Sequence, residues 1–266
     1  MQQVVSYLIR RLETSASQDT KVIPWSCPVP SFGDVSLSKI ATVGINPSNK
    51  EFVDDRHNEL TDKYRRFHTL RSLGLKTWND AKDDHHSKIT VACQRYFDSN
   101  PYDRWFRQLD FLLAGTNFSY YSAMYTACHL DLVPFATSCK WTELSTTHKE
   151  NLFAMSGDAL GRLVRDSPIQ ILVLNGNSVI SHLQKICTIT FDSTRKPGWE
   201  LPRPGGSGVA GYAFYGSVKT LAGVRLKREV AVLGFNHNIQ SSFGVTREVK
   251  MSIQRWISKK TQEILS

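Results

Sequence analysis

Four short, nearly continuous apolar runs constrain this chain more than any other feature: Ile40–Ile45, Ser122–Leu132, Ile169–Leu174 and Glu229–Phe235. A strand with one wet face alternates apolar and polar residues, whereas a strand covered on both faces reads as an unbroken apolar run. The second run also contains polar positions, so its limits are loose. Between the runs lie stretches with an i, i+3/i+4 rhythm. They predict helices over Val4–Glu13, Glu59–Leu73, Ser87–Phe97, Arg104–Ala114, Ser145–Arg165, Ser178–Ile186 and Thr246–Leu265. The Ser/Thr-rich start of the fifth can cap its first turn. The last places Val249, Ile253, Trp256 and Ile257 on one face. Strands alternating with helices predict a single α/β domain over residues 1–266, a three-layer α/β/α sandwich around a four-stranded, mainly parallel central sheet.

The stretch Asp192–Tyr212 breaks the pattern. It holds three prolines and five glycines, together with Arg195, Lys196, Trp199 and Arg203. It reads as a long loop or hairpin excursion whose basic and aromatic residues suit contact with nucleic acid.

The charge balance points the same way. Lys and Arg total 33 against 24 Asp and Glu, a formal charge of +9. Such a surplus favours a polyanionic partner, because cationic side chains displace counterions from phosphates. No apolar run is long enough to cross a bilayer, and the first twenty residues lack a secretory pattern. The five cysteines, Cys27, Cys93, Cys128, Cys139 and Cys187, are odd in number and form no CxxC pair. Reduced thiols in a cytoplasmic protein are expected, with no metal and no cofactor. The His85-His86 pair after Asp83-Asp84 reads as a solvated charged turn.

In an open parallel sheet, ligands sit beyond the carboxyl ends of the strands. The residues just past the four runs are Asn46-Pro47-Ser48, Asp131 to Pro134, Asn175-Gly176-Asn177 and Asn236-His237-Asn238. All four exits are polar, so a pocket built from them is expected.

The first and last exits resemble the two signature motifs of the uracil-DNA glycosylase superfamily. VGINPSNKEF, Val43 to Phe52, resembles its GxNPG-type turn. VLGFNHNIQSSFG, Val232 to Gly244, resembles its HPS- or NPS-type turn, with Asn238 and Ile239 in place of Pro-Ser. Between them, ACHLDLVPFAT, Ala127 to Thr137, resembles the strand whose Asn reads the base edge in relatives. The resemblance implies a base-flipping enzyme that hydrolyses an N-glycosidic bond through an oxocarbenium-like state. It implies that Asn46 positions the attacking water and that His237 donates to O2 of the leaving base, with Asn236 the alternative donor. It further implies that Phe52 stacks on the flipped base and that backbone around Ile45 and Ser48 holds it. Asn238, Ile239, Gln240, Ser241, Arg195, Lys196 and Arg203 are the expected DNA contacts, and Ile239, Gln240 and the 192–212 excursion supply candidates for the wedge that fills the vacated stack.

Two positions bear on base identity. Uracil-reading relatives have Asn where Asp131 stands. An ionised Asp offers only acceptors and suits the exocyclic amine of cytosine, not O4 of uracil, whereas a buried, protonated Asp could accept from N4 and donate to N3 together. If Asp131 is instead a capping residue, His129 or Cys128 faces the pocket. Ser48 is small where uracil-strict branches carry Tyr, which leaves the C5 side open. The pair points to a 5-substituted cytosine, and the chain is most similar to prokaryotic antiviral glycosylases that remove glucosylated 5-hydroxymethylcytosine from phage DNA. A monomeric, monofunctional glycosylase is expected. The competing readings are a repair glycosylase for uracil or 5-hydroxymethyluracil and a catalytically idle DNA-binding module.

Overall fold

The computed structural model describes residues 1–14, 19–99, 103–203 and 205–266. A mostly parallel sheet flanked by helices forms its centre. The chain enters through α1 (Gln2–Thr14) and runs into β1 (Ile40–Gly44). Then come α2 (Leu70–Leu73), α3 (Asp83–Gln94), α4 (Asp103–Leu113) and β2 (Ala127–Asp131). Next are α5 (Thr146–Ser156), α6 (Ala159–Arg165), β3 (Ile171–Asn175) and α7 (Asn177–Ile186). The remainder holds β4 (Asp192–Arg195), β5 (Leu201–Arg203), β6 (Gly206–Val209), β7 (Tyr212–Leu221), β8 (Val224–Phe235) and α8 (Arg247–Leu265).

The main sheet has six strands in the order β2-β1-β3-β8-β7-β4. β2, β1, β3 and β8 are mutually parallel and correspond to the four apolar runs. Every residue of β2 and β3 is buried, as continuous apolar strands require. β7 pairs antiparallel with β8, and β4 antiparallel with β7. These two strands correct the four-strand expectation. β7 carries an interrupted pattern with one wet face, and all of β4 is exposed, so neither shows the unbroken apolar signature. The 192–212 excursion resolves into β4, a short helical turn at Pro197–Trp199 and the β5–β6 hairpin.

Four further expectations are corrected. The helix expected over Glu59–Leu73 shrinks to α2, because its N-terminal part folds back on the first turn. Leu60 N–H donates to Phe52 O, Val53 bridges to Glu59, and Asp62 adopts a left-handed φ of 50°. The helix expected over Ser145–Arg165 divides at Gly157, whose φ of 56° suits glycine. Ser145 does cap the first half, accepting from His148 N–H. His85 and His86 lie in the first turn of α3 rather than in a solvated turn. His86 is buried, and His85 Nδ1 accepts from Lys82 N–H at 3.0 Å. The second strand begins at Ala127, five residues later than Ser122. No helix among the described residues is long and apolar enough to cross a membrane.

Candidate active site

Because four strands run parallel, their carboxyl ends open on one side of the sheet. A cavity of about 210 Å³ lies there. β1 and the turn after it supply Gly44, Ile45, Asn46, Pro47, Ser48 and Glu51. β2 supplies His129 and Asp131, β3 ends in Asn175, and α4 contributes Trp105 and Phe106. Phe32, Val179 and Asn238 complete the lining.

Gly44 shows why this turn requires glycine. It is paired with Asp131 across the β1–β2 ladder. A Cβ on Gly44 would collide with Asp131 Oδ1 and His129 Nε2. The floor of the cavity is therefore bare backbone, over which the two β2 side chains lean.

Asn46 is held with a defined polarity. Its Nδ2 faces Thr137 Oγ1 at 3.1 Å, Pro47 O at 3.2 Å and Phe135 O at 3.4 Å. Thr137 donates its own hydroxyl to Cys139 O at 2.8 Å, so it meets Asn46 as an acceptor. Only the amide nitrogen can satisfy that set. Asn46 Oδ1 has no hydrogen-bond partner among the described residues and is the acceptor left for a ligand or water.

His129 and Asp131 are both buried, with Nε2 and Oδ1 3.4 Å apart. His129 Nδ1 lies 2.7 Å from Thr42 Oγ1, which in turn contacts the Tyr120 hydroxyl. Burial holds that phenol far above its ordinary value, so it stays protonated. The Thr42–Tyr120 pair thus fixes the imidazole from behind. Both β2 side chains face the cavity, which joins the two alternatives left open by the sequence.

Glu51 was not singled out from sequence. It is 2% exposed and yet lines the cavity. The Tyr96 hydroxyl lies 3.0 and 2.9 Å from its two oxygens, and Arg66 stands 3.7 Å away. Burial pushes its carboxyl up to about 7 against the opposing pull of Arg66 and Tyr96, and the charge of Asp131 adds to the rise. The only sequence signal was an acidic residue seven positions beyond Gly44, next to Lys50 at the end of the turn.

The second turn behaves differently. Of its expected site residues, only Asn238 reaches the cavity wall. Asn236 uses both ends of its amide on the neighbouring excursion, accepting from Tyr212 N–H and donating to Ala210 O, each at 2.8 Å. His237 is buried, with Nε2 2.7 Å from Trp199 O, and burial lowers its pKa below the usual histidine value. A neutral ring donating to that carbonyl fits the geometry. Ile239 is buried, and Gln240 binds Asn175 and approaches Trp105 O. Ser241 is exposed and closes the Asn238-capped turn. Phe52 is likewise misassigned as a cavity residue. It is 1% exposed and packs edge-on against Trp25 and at a tilt against Phe67. The aromatic walls of the cavity are Phe32, Trp105 and Phe106.

The expected basic contacts sit outside the cavity. Arg195 is exposed and paired with Glu200 at 2.5 Å, and Lys196 fastens the excursion through its backbone to Gly211. Arg203 reaches from the β5–β6 hairpin to Phe243, donating to its carbonyl at 2.8 Å and lying 5.4 Å from its ring centre. Phe243 is 71% exposed, and sequence reasoning missed it because an exposed aromatic and a core aromatic look alike in sequence. Ser48 lies exposed at the cavity rim. Lys50, also in the first turn, directs its ammonium to Asp55 at 2.7 Å. No cluster of His, Cys, Asp or Glu among the described residues is arranged to hold a metal ion.

Compared with known families and with curated proteins, the sequence matches no family model and no curated protein.

Proposed function

We propose that this protein is a monofunctional DNA glycosylase on a uracil-DNA glycosylase-like fold. In this reading it flips a 5-substituted cytosine, such as glucosylated 5-hydroxymethylcytosine of phage DNA, into the strand-end cavity and hydrolyses its N-glycosidic bond. The observation that carries the reading is Asn46. Its amide nitrogen is engaged by three protein acceptors, and its oxygen is free at the wall of a cavity that also presents Asp131 and His129.

The chemistry follows from those groups. Asn46 Oδ1 accepts a hydrogen bond from water and aims its lone pair at C1′ as the bond to the base breaks. Asp131 accepts from the exocyclic amine of a cytosine-type ring. His129, held by Thr42, is the donor available for negative charge developing on the departing base. That role passes to His129 because the His237 ring is committed to Trp199 O. A cavity of about 210 Å³ suits one flat ring, being smaller than the ~300–1,000 Å³ of sites for larger ligands. Trp105 offers a face for stacking, worth ~1–3 kcal/mol per base. Ser48 at the rim leaves room for a C5 substituent to extend outward. In this reading Phe243, exposed on the second turn and braced by Arg203, is the candidate to fill the vacated stack, since Ile239 is buried and Gln240 is engaged.

The net charge of +9 supports a DNA partner. The test is an abasic-site assay on phage DNA bearing glucosylated 5-hydroxymethylcytosine, with Asn46→Ala alongside. Alkali-labile sites made by the parent protein and lost in the variant support the reading. Intact DNA with the parent protein overturns it.

A further inference from the structure

We infer that Glu51 is a second base-reading carboxyl, which meets the flipped base as a neutral acid and donates to a ring-nitrogen acceptor while Asp131 accepts from the adjacent exocyclic amine. The inference rests on the glycosylase reading and deepens it, because it names the hydrogen-bond pattern of the base.

Two carboxyl groups line one small cavity. Both are buried, Glu51 at 2% and Asp131 at 5% exposure. Two ionised carboxylates would give the cavity only acceptors at these positions and would repel one another in a poorly solvated space. The surroundings of Glu51 decide which one keeps a proton. Facing it are the Tyr96 hydroxyl from the turn after α3, Arg66 from the segment before α2, and Asp131 with His129 from β2. Arg66, 3.7 Å off and also donating to Lys50 O at 3.0 Å, and the Tyr96 hydroxyl favour the charged form, and burial outweighs them. Both carboxyl oxygens share the single Tyr96 hydroxyl, so neither is saturated and either can carry the hydrogen. The rise of the group to about 7 agrees with that arrangement.

A neutral Glu51 beside an acceptor Asp131 presents one donor and one acceptor. Cytosine and its 5-substituted forms offer the matching pattern, an acceptor at N3 beside an amine at C4. Uracil offers the reverse, N–H at N3 beside an oxygen at C4. An ionised Asp131 alone is only an acceptor and leaves the ring nitrogen unread. Ionisation of Glu51 removes the donor and confronts N3 with a negative charge.

Affinity for a cytosine-type base should therefore fall as pH rises through about 7, by up to about tenfold per unit above it, because only the neutral fraction binds. The experiment measures binding of the full protein to duplex oligonucleotides carrying 2′-fluoro-stabilised 5-hydroxymethyldeoxycytidine or deoxyuridine, from pH 6 to 8.5. The fluorine slows cleavage so that binding is read alone. The cytosine-type duplex is expected to lose affinity through that range. Glu51→Gln, which keeps a donor but cannot ionise, is expected to flatten the profile. Tyr96→Phe, which removes a stabilising bond to the charged form, is expected to move the inflection upward. A Glu51→Gln profile as steep as the parent's overturns the inference, and so does preferential binding of the uracil duplex at low pH. The underlying reading fails by a different result: no release of base by the parent protein from any modified DNA.

Discussion

The turn after β1 and the turn after β8 sit at the same end of the same sheet and carry similar polar residues, yet they spend them differently. The first turn directs Asn46, Ser48 and Glu51 to the cavity and anchors Asn46 through its nitrogen alone. The second turn commits Asn236 to the excursion and His237 to Trp199, and its Gln240 binds Asn175. The cause is the neighbour each turn has. The first lies between β2 and β3, whose ends are already satisfied by the sheet. The second borders the connection from Lys196 to Tyr212, whose irregular backbone presents the Trp199 and Ala210 carbonyls and the Tyr212 N–H as partners. A polar strand exit is therefore free for chemistry only where nothing adjacent consumes it.

The largest effect that can break this comparison is on rate. Asn46→Ala should lower base release by ~10²–10⁴-fold, the range for a group acting on the proton or water in the transition state, in single-turnover assays. Its stability should also fall, by about 1–3 kcal/mol, because buried Phe135 O and Thr137 Oγ1 lose their donor, so release is read per folded molecule. His237→Ala should cost stability without that loss of rate. It leaves the Trp199 carbonyl unpaired, at a cost of about 1–3 kcal/mol in urea unfolding, with release per folded molecule within a fewfold of the parent. A hundredfold rate loss at unchanged stability would return His237 to catalysis and erase the contrast.

Selectivity sharpens the comparison on the first-turn side. Asp131→Asn should shift preference from cytosine-type to uracil-type bases by ~1–3 kcal/mol of discrimination, read as the ratio of release rates from paired substrates. Ser48→Tyr should exclude bulky C5 groups while leaving DNA affinity nearly unchanged in a gel-shift titration.

The smallest expected effect concerns stability and pH. The folded-state carboxyl of Glu51 lies above its ordinary value. The native state therefore holds a proton that the unfolded chain releases, and stability falls as pH rises from about 4.5 through about 7. Glu51→Gln removes that term and should raise the unfolding free energy at pH 8 by roughly 1–3 kcal/mol. Equal stability of variant and parent at pH 8 contradicts the buried-acid assignment. His237, whose value is lowered by burial, acts with the opposite sign. It stays neutral in the fold, so protonation of the unfolded chain costs stability as pH falls below the ordinary histidine value.

What the sequence made legible follows from the same physics. Strands buried on both faces announce themselves, so β1, β2, β3 and β8 and the position of the cavity at their ends could be read directly. β7 could not, because a half-wet antiparallel strand shares its pattern with ordinary loops. Site residues divide along the same line. Asp131 ends β2, Asn46 stands two residues past β1 and Ser48 two further on, close enough to the strands for their direction to be read. Phe52 and Glu51 lie farther along the turn, one residue apart, where a single step decides between core and cavity. Phe52 entered the aromatic cluster with Trp25 and Phe67, and Glu51 reached the cavity. Trp105 and Phe106 come from α4, whose orientation over the strand ends no local pattern encodes.

The most direct test of the central claim is mass spectrometry of the base released from a panel of duplex DNAs holding cytosine, 5-hydroxymethylcytosine, glucosylated 5-hydroxymethylcytosine, uracil and 5-hydroxymethyluracil. The account predicts release of the 5-substituted cytosines, and none from the same DNAs with Asn46→Ala. Release of uracil-type bases alone, or of no base, would contradict it.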